Sequence, residues 1–203
     1  MAETAAEEPR ARRRGPRSDW VPLGAAAAAV ALLVTAWPLL NALLPGSDSV
    51  SSGSPVPVGS AGAYEASLTF PQEGWVLDTG ASQAGRTYRF SRGPVELTLN
   101  KVTPVTDPPP DALELWEGMR RLIRAGEASA RLGEPEAIAT RDGHEGLTGI
   151  LESRTQRGAA VVYPSPDGRM AVEMTLAGRD ATTADLAAVA DVVRSVSFTR
   201  EGG

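Results

Sequence analysis

His144 is the only histidine in the chain, preceded by Asp142-Gly143 and followed by Glu145. An imidazole between two carboxylates has the residue types for a proton shuttle or a metal ligand. A metal site needs several ligands at set spacing, and the chain has neither a second histidine nor a cysteine. A histidine on a surface turn is therefore the reading adopted. Ser-His-Asp chemistry would have to be built around the same residue, yet no Gly-x-Ser-x-Gly elbow occurs. Glu114 and Glu117 could suggest paired carboxylates for general acid–base work. They share a stretch with Arg120, Arg121 and Arg124, where solvated surface charge is the simpler account. Asp107 and Asp111 flank three prolines without the calcium-loop pattern. Neither a Gly-x-Gly-x-x-Gly nor a Gly-x-x-x-x-Gly-Lys phosphate loop is present. No catalytic, cofactor-binding or metal-ligating residue is assigned, so the expectation is a protein that is not an enzyme and carries no cofactor. Trp75 and Trp116 fit core positions, and would anchor a partner if exposed. Arg120, Arg121 and Arg124 could meet an acidic partner, but a solvated helix end is the plainer reading.

The elements that must position these residues follow from periodicity. Tyr64, Ala66, Leu68 and Phe70 alternate with other residues at the period of a half-buried strand, ended by Pro71. Trp75-Val76-Leu77 is a second short apolar run. Thr87 to Ser91 and Val95 to Val102 flank Ser91-Arg92-Gly93-Pro94, a hairpin connection. Val95, Leu97 and Leu99 are expected to face the core. Asp111 followed by Glu114 starts a helix over about 111–125. Its apolar face is Leu115, Trp116, Met119, Leu122 and Ile123, with arginines near the negative end of the helix dipole. Strands are expected over Glu136–Thr140, Gly146–Arg154, Ala159–Tyr163 and Met170–Leu176, joined by glycine turns. In the last of these, Met170, Val172, Met174 and Leu176 share one face. A closing helix, capped by Thr182 or Asp185, buries Leu186, Val189, Val193 and Val196, and Ser197-Phe198-Thr199 is a short extended tail. Short turns between strands make the sheet antiparallel. The expected fold class is α+β: a mainly antiparallel sheet of about six strands covered by two helices.

The N-terminal part gives an address. Val21 to Leu44 holds 24 residues without a charge. At helical rise it covers about 36 Å, enough for a hydrocarbon core of about 30 Å. Arg10, Arg12, Arg13, Arg14 and Arg17 precede it, and the next basic residue is Arg86. This asymmetry puts the N-terminus in the cytoplasm. A cleaved signal peptide would have a shorter apolar region, and Ala61-Gly62-Ala63 lies far beyond this one. The expected organisation is a disordered cytoplasmic tail (1–19), a transmembrane helix (20–44), a Ser/Gly/Pro linker (45–62) and an extracytoplasmic domain (63–200). Thirteen of the 18 residues in 45–62 are Ser, Gly or Pro, so a flexible tether of roughly 23 Å is expected.

From Gly62 onward there are 15 basic and 20 acidic side chains, a poor composition for nucleic acid or anionic lipid. Without cysteine there is no disulfide, no thiolate chemistry and no lipidated cysteine. Lys101 is the only lysine, a bias assigned to genome composition.

Tyr64-x-x-x-x-x-Phe70-Pro71-x-x-x-Trp75 resembles the opening of PsbP/Mog-like domains. The central helix, the meander around Asp142-Gly143-His144-Glu145-Gly146 and the closing Val196-Ser197-Phe198 resemble that superfamily over residues 63–199. The resemblance implies a binding or assembly module. Its members include extrinsic proteins of photosynthetic complexes, bacterial surface lipoproteins and membrane-anchored accessory proteins near secretion systems. It carries over no catalytic residues. The functional expectation is a single-pass, cell-membrane-anchored, extracytoplasmic module with a protein partner, serving an envelope or secretion complex. The alternative is a carrier or sensor of a small apolar ligand or lipid.

Overall fold

The computed structural model describes residues 46–126, 128–154, 157–178 and 183–202. The chain divides into two units, residues 1–44 and 45–203. The expected tail (1–19) and transmembrane helix (20–44) lie outside the described residues. Among the described residues, no helix is long and apolar enough to cross a membrane.

The first strands are β1 (Ser47–Ser49), β2 (Pro55–Ala61), β3 (Tyr64–Thr69), β4 (Val76–Asp78), β5 (Thr87–Arg92) and β6 (Val95–Val102). Helix α1 (Ala112–Gly126) follows. Next come β7 (Arg131–Leu132), β8 (Glu136–Ala139), β9 (Glu145–Glu152), β10 (Arg157–Pro164) and β11 (Ala171–Gly178). Helix α2 (Thr183–Val193) and β12 (Ser197–Arg200) close the unit. The α+β class and the antiparallel pairing agree with the sequence. The strand count does not: among the described residues twelve strands form two sheets instead of about six in one. The main sheet runs β1-β4-β5-β6-β11-β10-β9-β7, with β8 also on β9. The small sheet is β12-β3-β2.

Much of the difference lies in residues 45–62, expected as a tether. β1 pairs with β4, and β2 pairs with β3 through a register shift between Pro57 and Gly59. Composition misleads here because β2 is an edge strand. Proline has no N–H to donate to a ladder, so strands tolerate it at an edge, where the N–H side needs no partner strand. Val56 and Val58 lie two residues apart and pack into the core, Val58 at 1% exposure. The lone Lys101 also acts here, as its Nζ donates to the Ser60 carbonyl at 3.1 Å. Among the described residues the folded part therefore includes β1 and β2, ahead of residue 63.

Two apolar clusters hold the layers. One gathers the inner face of the main sheet, the small sheet and α2, including Phe70, Trp75, Leu97, Leu99, Val172 and Met174. Phe70 sits between Trp75 and Phe90 at ring distances of 5.1 and 4.7 Å. The other lies on the outer face, where Leu115, Trp116 and Met119 of α1 meet Leu132, Ala160, Val162 and Ala171. Polar clasps join the parts. Asp167 in the β10–β11 turn accepts the Ala63 N–H at 2.9 Å, the Ser165 hydroxyl at 2.7 Å and the Arg169 N–H at 3.1 Å. Desolvation raises the pKa of this carboxyl, but its hydrogen bonds prevail and hold it below the usual range.

The helix start takes the form the sequence suggested. The Glu114 N–H donates to Asp111 Oδ1 at 2.8 Å, and the Asp111 N–H donates to Glu114 Oε2 at 3.2 Å. This reciprocal pair satisfies two donors that the first turn leaves orphaned. Asp111→Ala is expected to lower stability by about 1 kcal/mol, read as a shift in urea midpoint at constant slope.

Candidate functional site

Helix α1 packs over β7, β9, β10 and the start of β11, and leaves the outer face of β5, of most of β6 and of the end of β11 open. Strand pairing fixes what that open face presents. Arg89 pairs with Thr98, and Thr98 with Thr175. One row along, Thr87 pairs with Asn100 and Asn100 with Glu173; on the other side, Ser91 pairs with Glu96. Side chains alternate in strands, so these rows share one face. The face is polar where α1 does not cover it and apolar where it does.

A trough of about 330 Å³ runs along the flank of α1. Its floor includes Arg89, Glu96, Thr98 and Thr175, and its wall includes Leu122 and Ile123 from the last turns of α1. Leu122 is 69% exposed, because its place in the apolar stripe lies past the edge of the cluster that buries Trp116. Neither the Arg89 guanidinium nor the Glu96 carboxylate forms a hydrogen bond or ion pair among the described residues.

Glu173 marks the border between the covered and open halves. It is 8% exposed, and desolvation pushes its carboxyl up to about 7. Its neighbour Asn100 uses its Oδ1 to accept the Thr87 hydroxyl at 2.9 Å. A carboxyl with this environment is poised to hold or release a proton near neutral pH.

The residues singled out in the sequence are not brought together. His144 is half-buried rather than free on a turn, with its ring edge-on to Phe198 at 5.4 Å. The turn itself is as expected, with Gly143 at a φ of 84°. Its Thr140 Oγ1 accepts the His144 N–H at 3.1 Å, and the Arg141 N–H docks on the Arg194 carbonyl at 2.8 Å. Glu114 is taken by the helix cap, and Glu117 pairs with Arg120 at 3.2 Å. Arg120 also donates to the Gly133 carbonyl at 3.0 Å, while Arg121 and Arg124 are exposed. Asp107 and Asp111 are exposed, and no group of three or more metal-binding side chains exists among the described residues. Trp75 and Trp116 are both core residues. Gly149 makes room for Trp116: a Cβ there would lie 2.8 Å from indole Cζ2. Tyr163 is fully buried with no hydroxyl partner among the described residues, and desolvation pushes its pKa up to about 12 against the opposing charge of Arg194.

Sequence reading missed the trough residues. The available signal was parity: Arg89, then Glu96 and Thr98, then Thr175 lie opposite the core-facing positions of adjacent strands.

A second concavity of about 470 Å³ opens on the inner side, lined by Val95, Ile150, Ala159, Leu176 and Val189 among others. Ile150 is exposed at its mouth.

No family model matches the chain, and no curated protein matches it. Among solved structures, a crystal structure from Bacteroides thetaiotaomicron VPI-5482 is similar at 12% identity with a TM-score of 0.36. The match covers 68% of this chain and 46% of that one, so this chain spans less than half of that protein's length.

Proposed function

We propose that the chain is a membrane-anchored, extracytoplasmic binding module of the PsbP/Mog-like kind, an accessory factor of an envelope or secretion complex. The apolar stretch 20–44 anchors it, and the folded unit from residue 45 meets a protein partner. The observation that carries this reading is a pair of exposed leucines on the two flanks of α1, one of them, Leu122, beside the trough. Leu113 at 53% exposure and Leu122 at 69% stand out from a helix whose buried side is already complete. Exposed apolar side chains beside an open concavity are what a partner would cover. The test is affinity capture of the full chain from detergent-solubilised membranes. A defined envelope complex is expected with the unaltered chain and lost with Leu113→Asp/Leu122→Asp. Recovery of the protein alone, or of the same complex with the double variant, contradicts the reading.

A second reading, a carrier of a small apolar ligand or lipid, is favoured by the apolar cleft at Val95, Ile150, Leu176 and Val189. Mass spectrometry of the purified chain is expected to show a copurified apolar molecule if it holds.

A further inference from the structure

We propose that the trough beside α1 binds a small zwitterion with an aliphatic tail, an ammonium and an acidic group on one head. This goes beyond the protein-partner reading and does not depend on it.

Two charges of opposite sign border the trough. Arg89 and Glu96 lie on the same face of β5 and β6, in diagonal positions of the pairing Arg89 with Thr98 and Ser91 with Glu96. Diagonal neighbours of this kind are about 7 Å apart at the backbone. Two long side chains at that distance can meet, yet these form no ion pair with each other. Both are exposed and both line the trough. A simple anion there would be attracted by Arg89 and repelled by Glu96, and a simple cation the reverse. Only a ligand carrying both signs complements both.

The rest of the lining fits the same chemistry. Thr98 and Thr175 line the floor, and a threonine hydroxyl can donate to an acidic group or accept from an ammonium. Gly126, the last residue of α1, also borders the trough. The last carbonyls of a helix have no intrahelical donor and carry partial negative charge, which favours an ammonium. Leu122 and Ile123 form an aliphatic wall. A volume of about 330 Å³ suits an amino acid or a headgroup rather than a large cofactor.

Two sources supply this chemistry: a free aliphatic amino acid and the headgroup of phosphatidylethanolamine. The first arm uses equilibrium dialysis of the detergent-solubilised full chain against radiolabelled L-leucine. The second uses native mass spectrometry of the chain with phosphatidylethanolamine or phosphatidylglycerol in the detergent. For a free amino acid, leucine binds with a dissociation constant of about 1 mM or below, and 4-methylvalerate and isoamylamine bind at least about tenfold more weakly. For a headgroup, phosphatidylethanolamine is retained and phosphatidylglycerol is not. In either case Arg89→Ala and Glu96→Gln, both at exposed positions, each weaken binding at least about tenfold without moving the thermal transition. The inference is overturned if neither ligand is retained, if a singly charged analogue binds as well as leucine, or if both variants bind like the unaltered chain. None of these outcomes depends on whether a protein complex is captured in the pull-down.

Discussion

A chain shortened to begin at Ala63 is expected to lose cooperative unfolding, whereas one beginning at Pro45 keeps it. The segment between them reads as a linker, yet it belongs to both sheets. β1 extends the main sheet beside β4, and β2 supplies one edge of the small sheet. Between them the Val50 N–H donates to the Trp75 carbonyl at 2.9 Å, and the Gly53 N–H to the Phe70 carbonyl at 2.8 Å. Removing it takes Val58 out of the core and removes the partly buried Val50 and Val56 that pack against it. It also strips the ladder from one side of β3, which carries the fully buried Ala66 and Leu68. Each large side chain returned to water costs about 1.5–3 kcal/mol, and whole domains are stable by only about 5–15 kcal/mol. Three or four such losses exhaust that margin. Circular dichroism during heating is the measurement. Equal, sharp transitions in both chains would show that the segment is dispensable.

The second large effect is at Glu173. Its carboxyl rises from an ordinary value of 4.5 to about 7 because burial disfavours the charged form. Across that window the folded state keeps a proton that the unfolded chain releases. Stability therefore falls as pH rises from about 4.5 to about 7, and the whole loss is present above it. A displacement of this size corresponds to about 3 kcal/mol. Glu173→Gln keeps the shape of the protonated side chain and removes the charge. The variant is expected to match the parent near pH 4 and to exceed it by up to about 3 kcal/mol at pH 8. Urea unfolding at the two pH values reads this directly. Parallel pH dependence in parent and variant would assign the ionisation cost elsewhere.

The same residue shows how far periodicity reaches. In Met170-Ala171-Val172-Glu173-Met174-Thr175-Leu176 the alternation puts Glu173 opposite the methionines, and the structure agrees. Alternation does not say whether the opposite side meets water. Here α1 covers part of it, so Glu173, on the side away from the main core, is nonetheless buried. The trough arises from the same cause: α1 stops short of β5 and β6, and only the placement of the helix decides which polar residues line a concavity. His144 is the converse, a turn residue whose ring is half-covered because β12 comes alongside.

What the sequence determined alone is local. Alternating Val95, Leu97 and Leu99 make a strand with one buried face, Asp111 and Glu114 close a helix cap, and Gly143 allows a tight turn. These depend on neighbours within a few residues, where side-chain direction and hydrogen-bond reach are set by the backbone. The tertiary structure decided the rest. Pro55 and Pro57 become an edge strand because β3 offers a partner and Val58 has a core to enter. Gly149 lies beneath Trp116 because a helix 33 positions earlier in the chain crosses above it. Pairing and layering join residues far apart in the chain, and their free energy comes from surface buried only once the layers meet.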